Sequence, residues 1–168
     1  MRIVNEVELA TIQAHLCRLK TGVMLDRHDL PSLDDGRWRG YKVLLDSADL
    51  DRVFLWWQNE VYTRNRTCRV IDLLPSASAL GKVQSFIVGS VSHGLFPLDL
   101  RAADGMELCV VSNSLDDAFL YVIDGNHRLI AHWLQGRHLE NVPAYLAVHD
   151  DLSTWVYLPD YLRKQLRL

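Results

Sequence analysis

Cysteine is scarce, with three residues at positions 17, 68 and 109 in a chain of 168. Three scattered thiols supply neither a disulfide framework nor a zinc cluster and suit a reducing compartment. A strong charge of one sign is also lacking. Eighteen Lys and Arg against 21 Asp and Glu leave a net charge of -3, so no global basic excess advertises a large nucleic-acid interface. Long apolar runs are missing too. The longest stretch without Asp, Glu, Lys or Arg, Val83 to Leu98, falls short of the ~18 residues of a membrane span, and His93, Gly94 and three serines interrupt it. The opening Met1-Arg2-Ile3-Val4-Asn5-Glu6 has no apolar run of the signal-peptide kind, so the expectation is a soluble cytoplasmic protein with no membrane partner. What is present is ordinary for a globular chain: 49% hydrophobic and 23% charged residues, enough to build a core.

Hydrophobic periodicity divides the chain in two. Asn5 followed by Glu8 has capping-box spacing, and Leu9, Ile12, Leu16, Leu19 and Val23 recur at helical steps toward Gly22, predicting a first helix. Met24 to Gly40 reads as a loop and Tyr41 to Leu45 as a short strand. Ser47 is placed to cap a second helix with Leu50, Val53, Phe54, Trp57 and Val61 on one face. From Arg69 the pattern shortens. Arg69 to Leu74, Leu98 to Leu100, Met106 to Val111, Phe119 to Ile123 and Val142 to Val148 read as strands. The turn-like Asn113 to Asp117 predicts that the third and fourth of these pair as a hairpin, and the last reads as a parallel strand. Helices are expected over Leu80 to Val91 and Leu129 to Leu134, and Tyr161 to Leu168 reads as a short basic helix or frayed tail. The sum is a mostly helical extension over 1–67 and an α/β (α+β) domain over 68–168.

The segment richest in chemistry is Asp124-Gly125-Asn126-His127-Arg128, where a strand runs through a glycine into a helix. Gly125 permits a tight turn with positive φ or a close backbone approach by a ligand. The first N–H groups of a helix have no internal partners and carry the positive end of the dipole, which suits an anion. Arg128 offers a guanidinium that can hold two phosphate oxygens. Asp124 is positioned to hold Mg²⁺ beside a phosphate or to accept a proton, and His127 to donate to a phosphate oxygen or move a proton near neutral pH. A plainer account fits the same spacing: Asp-Gly is a common turn, Asp124 or Asn126 can simply cap the helix, and His127 and Arg128 can lie on a solvated face.

Asp124-Gly125-Asn126-His127-Arg128-Leu129-Ile130-Ala131 resembles the signature box of the ParB/sulfiredoxin-like superfamily. Arg69 to Pro75 is similar to that family's opening strand, His93 to Arg101 to its crossing into the next strand, and Gly136 with Val142-Pro143 to its exit from the box helix. The resemblance spans about residues 68–148. It implies a mixed-sheet core that binds a nucleotide, ATP or CTP, or a nucleic-acid phosphate at the start of the box helix. Activities within the superfamily include a CTP-dependent DNA-segregation clamp, an ATP-using sulfinic acid reductase, a serine kinase and proposed nucleases. Asn126 stands where the reductase has its cysteine, which argues against that activity. Asn126-His127-Arg128 replaces the partitioning proteins' Glu-Arg-Arg, and the residues after Val148 are too few for their helix-turn-helix domain.

Three functional expectations follow. The first is a protein binding a nucleotide or phosphorylated small molecule, with phosphotransferase or phosphoester-hydrolase chemistry through Asp124 and His127. The second is a non-catalytic DNA- or RNA-binding module in which Arg64, Arg66 and Arg69 join Arg128. The third is a protein-interaction domain with a relic site, its first helix facing the partner. Arg66 and His93 are further candidates for phosphate contact, against the plainer alternatives of a solvated basic loop and a helix-ending histidine. Asp99 is a metal or base candidate against the default of a solvent-facing acid, Trp133 and Trp155 default to packing, and the other histidines are too scattered for a metal cage.

Overall fold

The computed structural model describes residues 1–18, 33, 36–55, 107–116, 119–125, 129, 140–155, 158 and 160–167. They form six strands and two α-helices: β1 Arg2–Val7, α1 Leu9–Arg18, β2 Arg39–Leu45, β3 Val53–Leu55, β4 Leu108–Ser112, β5 Leu120–Asp124, β6 Val142–Val148 and α2 Asp160–Leu166. Short 3₁₀ turns occupy Ser47–Arg52 and Leu152–Thr154. The strands make one mixed sheet in the order β1-β2-β6-β4-β5-β3. β6 runs parallel to β4 and β3 parallel to β5, while β1–β2, β2–β6 and β4–β5 are antiparallel. A mixed sheet with few helices is the α/β or α+β class expected.

Burial explains the central strands. β4 and β5 carry Val, Ile, Leu and Tyr with almost no polar interruption, and all but Asp124 are buried. Such runs belong in strands covered on both faces. Cys109, Val111, Tyr121, Ile123 and Ala147 pack on one face with Ile12 and Leu16 of α1 and with Leu152, Trp155, Leu158 and Leu162 of the C-terminal segment. Strand alternation sends Val43, Leu45, Leu108, Val110, Leu120, Val122, Ala144 and Leu146, all buried, to the opposite face. The β4–β5 hairpin and the parallel β6 agree with the sequence reading. Trp155 is a packing residue, edge-on to Trp38 at 5.3 Å.

Two expectations for the N-terminal part are corrected. Asn5 does not cap a helix. It lies in β1 opposite Lys42, and α1 begins only at Leu9, where the Glu8 carbonyl accepts from Thr11 N–H at 2.9 Å. Ser47 does not open a helix through Phe54. Asp49 gathers Met1, Asp46 and Arg52 around its carboxylate and closes a 3₁₀ turn, after which Val53 and Phe54 join β5 as a strand. The described residues before 67 contribute α1, a 3₁₀ turn and three of the six strands. β2 pairs with β6 and β3 with β5, so the sheet is continuous across the expected division between 1–67 and 68–168. The expected strands and helix between residues 69 and 100, and the helix after Leu129, lie outside the described residues, as do Leu19, Val23, Trp57 and Val61.

Asp49 is the buried polar anchor of this region. The Met1 ammonium stands 2.7 Å from its Oδ1, Arg52 Nη2 donates to the same oxygen at 2.6 Å, and Asp46 N–H donates to Oδ2 at 2.9 Å. Burial alone would raise its pKa. The Asp46 amide, the ammonium and the guanidinium outweigh burial and hold it below the usual carboxylate value.

Candidate functional site

β5 delivers Asp124 and Gly125 to one end of the sheet. Asp124 is half-buried and lies opposite Cys109, where an irregularity between Cys109 and Val110 shifts the β4–β5 register. Gly125 has φ +92, a conformation that side chains with a Cβ adopt only under strain. Its carbonyl accepts from Leu129 N–H at 2.8 Å, the five-residue hydrogen bond of an α-helical turn, and Leu129 is buried. Strand end, positive-φ glycine and helical hydrogen bond thus follow one another within six residues. Of the residues singled out in the sequence, Asp124 and Gly125 are described, whereas Asn126, His127, Arg128, Arg66 and His93 lie outside the described residues. Among the described residues, no group of three His, Cys, Asp or Glu side chains could hold a metal ion.

A polar cluster occupies the same end of the sheet, and the sequence reading missed it. The cross-strand row runs Lys42–Tyr145–Cys109–Asp124. At one strand spacing per step, Tyr145 and Asp124 are about 10 Å apart along this row. Glu107, just before β4, forms an ion pair with Lys42 Nζ at 3.4 Å and stands 3.6 Å from His15 Nδ1 of α1. The His15 ring lies 5.1 Å from that of Tyr145, with Lys42 Nζ 5.7 Å from the same ring. His15 Nε2 is buried and makes no hydrogen bond among the described residues. The cluster ties α1 to the sheet. Its members come from four separated segments, so no local spacing could have revealed them; only the strand register joins them.

A cleft of about 410 Å³ lies toward the opposite end of the sheet, between the β1–α1 junction and β2. Glu6, Glu8, Trp38 and Arg39 line it. Its two glutamates repel an anion, and Arg39 is already paired with Asp150 at 2.9 Å, so it does not compete with the glycine turn as a phosphate site. Among the described residues, no helix is long and apolar enough to cross a membrane. No family model, curated protein or solved structure matches this chain.

Proposed function

We propose that this chain binds a nucleotide or phosphorylated small molecule at the Gly125 turn, on a ParB/sulfiredoxin-like core, and acts on it by phosphoryl transfer or phosphoester hydrolysis. The supporting observation is the backbone at Gly125: positive φ at the end of a buried strand, with the glycine carbonyl already bonded to Leu129 N–H. A strand that turns through glycine into a helix is the geometry that presents backbone donors to a phosphate. In this reading the amides after Gly125 and the Arg128 guanidinium bind phosphate oxygens, His127 polarises them, and Asp124 orients an acceptor hydroxyl or water. Positioning and charge neutralisation then supply most of the rate enhancement. Asp124 is one half-buried carboxylate, which suits Mg²⁺ brought in with a nucleotide, because that ion binds through one or two carboxylates together with phosphate oxygens.

Thermal denaturation with ATP, CTP and GTP, with and without Mg²⁺, tests the reading. One nucleotide should raise the melting temperature saturably, and Arg128→Ala should abolish the rise. Absence of a shift with every nucleotide, or an equal shift in the variant, would overturn it.

A further inference from the structure

After β6 the chain folds back across the sheet face that carries α1. Leu152, Trp155, Leu158 and Leu162 supply the apolar part of this return. Two polar devices hold it in place. Arg163 donates to the carbonyls of Ser153, Trp155 and Leu158, pinning α2 to the preceding turn. His149 holds the other end. It is 2% exposed, its backbone N–H donates to the Ser112 carbonyl at 3.0 Å, and its ring lies 4.8 Å from that of Trp38. Its Nδ1 accepts from Asp151 N–H at 3.0 Å. Asp151 in turn caps the 3₁₀ turn, its carboxylate accepting from the N–H and hydroxyl of Ser153. Imidazole, cap and guanidinium therefore act in series along one segment.

We propose that His149 is an acid-sensitive latch for the segment 150–167. Nδ1 can accept the Asp151 amide only in the neutral imidazole, because the imidazolium carries N–H donors on both nitrogens. A proton taken up from solvent at Nδ1 sets two donors against each other at contact distance, beside the Trp38 ring. The cap at Asp151 then loses its support, and the 3₁₀ turn and α2 loosen together.

Among the described residues, the charged groups of this turn include Asp150, Asp151, Arg37 and Arg39. From its own turn, the exposed Asp151 carboxylate attracts an imidazolium, but it is turned to Ser153 and screened by water. Arg37, whose charge acts on Asp151, opposes that attraction, and Asp150 is paired with Arg39. Among the described residues, the Ser112 carbonyl of β4 is taken by the His149 backbone N–H, and the Trp38 ring, 4.8 Å away, carries no formal charge. The Ser153 side-chain and backbone hydrogen bonds keep the Asp151 carboxyl below the ordinary carboxylate value.

Hydrogen exchange at pH 7.5 and pH 5.5, corrected for intrinsic rates, tests the latch. Protection of 151–167 should fall at least about fivefold in acid relative to β4 and β6, the effect of leaving a buried donor unsatisfied. His149→Asn, whose side-chain oxygen can accept the same amide without titrating, should remove the pH dependence. NMR titration of the unaltered chain supplies a second readout, in which the Asp151 amide should shift with the midpoint of the His149 ring. The latch is overturned by equal protection of 151–167 at both pH values or by the same acid loss in His149→Asn. It is equally overturned by an imidazole that titrates while the Asp151 amide stays still, or by one that remains neutral down to pH 5.

Discussion

β5 and β1 are both strands of one sheet, yet different forces make them so. β5 lies inside the sheet and is buried along Leu120 to Ile123, whereas every residue of β1 from Arg2 to Glu6 is exposed. In β5 the side chains favour the strand, because aromatic and β-branched residues suit a sheet covered on both faces. In β1 the neighbour specifies it: Arg2 to Val7 pair with β2, and Val4 falls at a register shift that leaves it without a partner there. Ile3 and Val4 remain 47% and 53% exposed. An irregular, charged edge of this kind also discourages pairing with other chains. Central strands are thus encoded in their own residues and edge strands in their surroundings.

Truncation at the centre should break this comparison most severely if it is mistaken. Leu146 of β6 is fully buried, and Leu146→Ala should cost about 3–5 kcal/mol in chemical denaturation. Asp49→Asn should follow at about 3 kcal/mol, since it leaves the Met1 ammonium and Arg52 without their shared carboxylate. Acid acts through the same residue. Its pKa is lower in the folded than in the unfolded chain, so its contribution is complete above the unfolded value of about 4 and fades as pH falls through the folded one. The loss of stability between pH 5 and pH 2 should therefore be smaller in Asp49→Asn than in the unaltered chain. Gly40→Ala should cost about 2 kcal/mol, because its Cβ would lie 2.5 Å from the Val7 carbonyl oxygen and push β1 from β2. Ile3→Ser, at the exposed edge, should change stability by no more than about 0.5 kcal/mol. A large loss at Ile3 with a small one at Leu146 would invert the account.

The same contrast sorts what was legible in the sequence. The β4–β5 hairpin, β6 and the glycine at the end of β5 could be read because each signal is local: β-branched and aromatic runs, a polar turn, and a residue type free to take positive φ. β1 was misread because Asn5 and Glu8 imitate a capping box, and no buried side chain in Arg2 to Glu6 contradicted them. β3 was misread because Val53 and Phe54 fit a helical face as well as a strand, and pairing with β5 decided between the two. Asp49 carries no sequence mark at all; its partners Met1 and Arg52 are assembled by the fold. The His15–Glu107–Lys42–Tyr145 cluster was invisible for the same reason.

The order of residues alone determined the central strands, the hairpin and the place where a glycine must turn, since these depend on burial and backbone freedom within a few neighbouring positions. Only the tertiary structure decided which strand stands at the edge, which carboxylate is buried among cations, and that the His149 ring packs against Trp38. Those outcomes depend on distances between remote segments, and such distances exist only once the sheet has set its register.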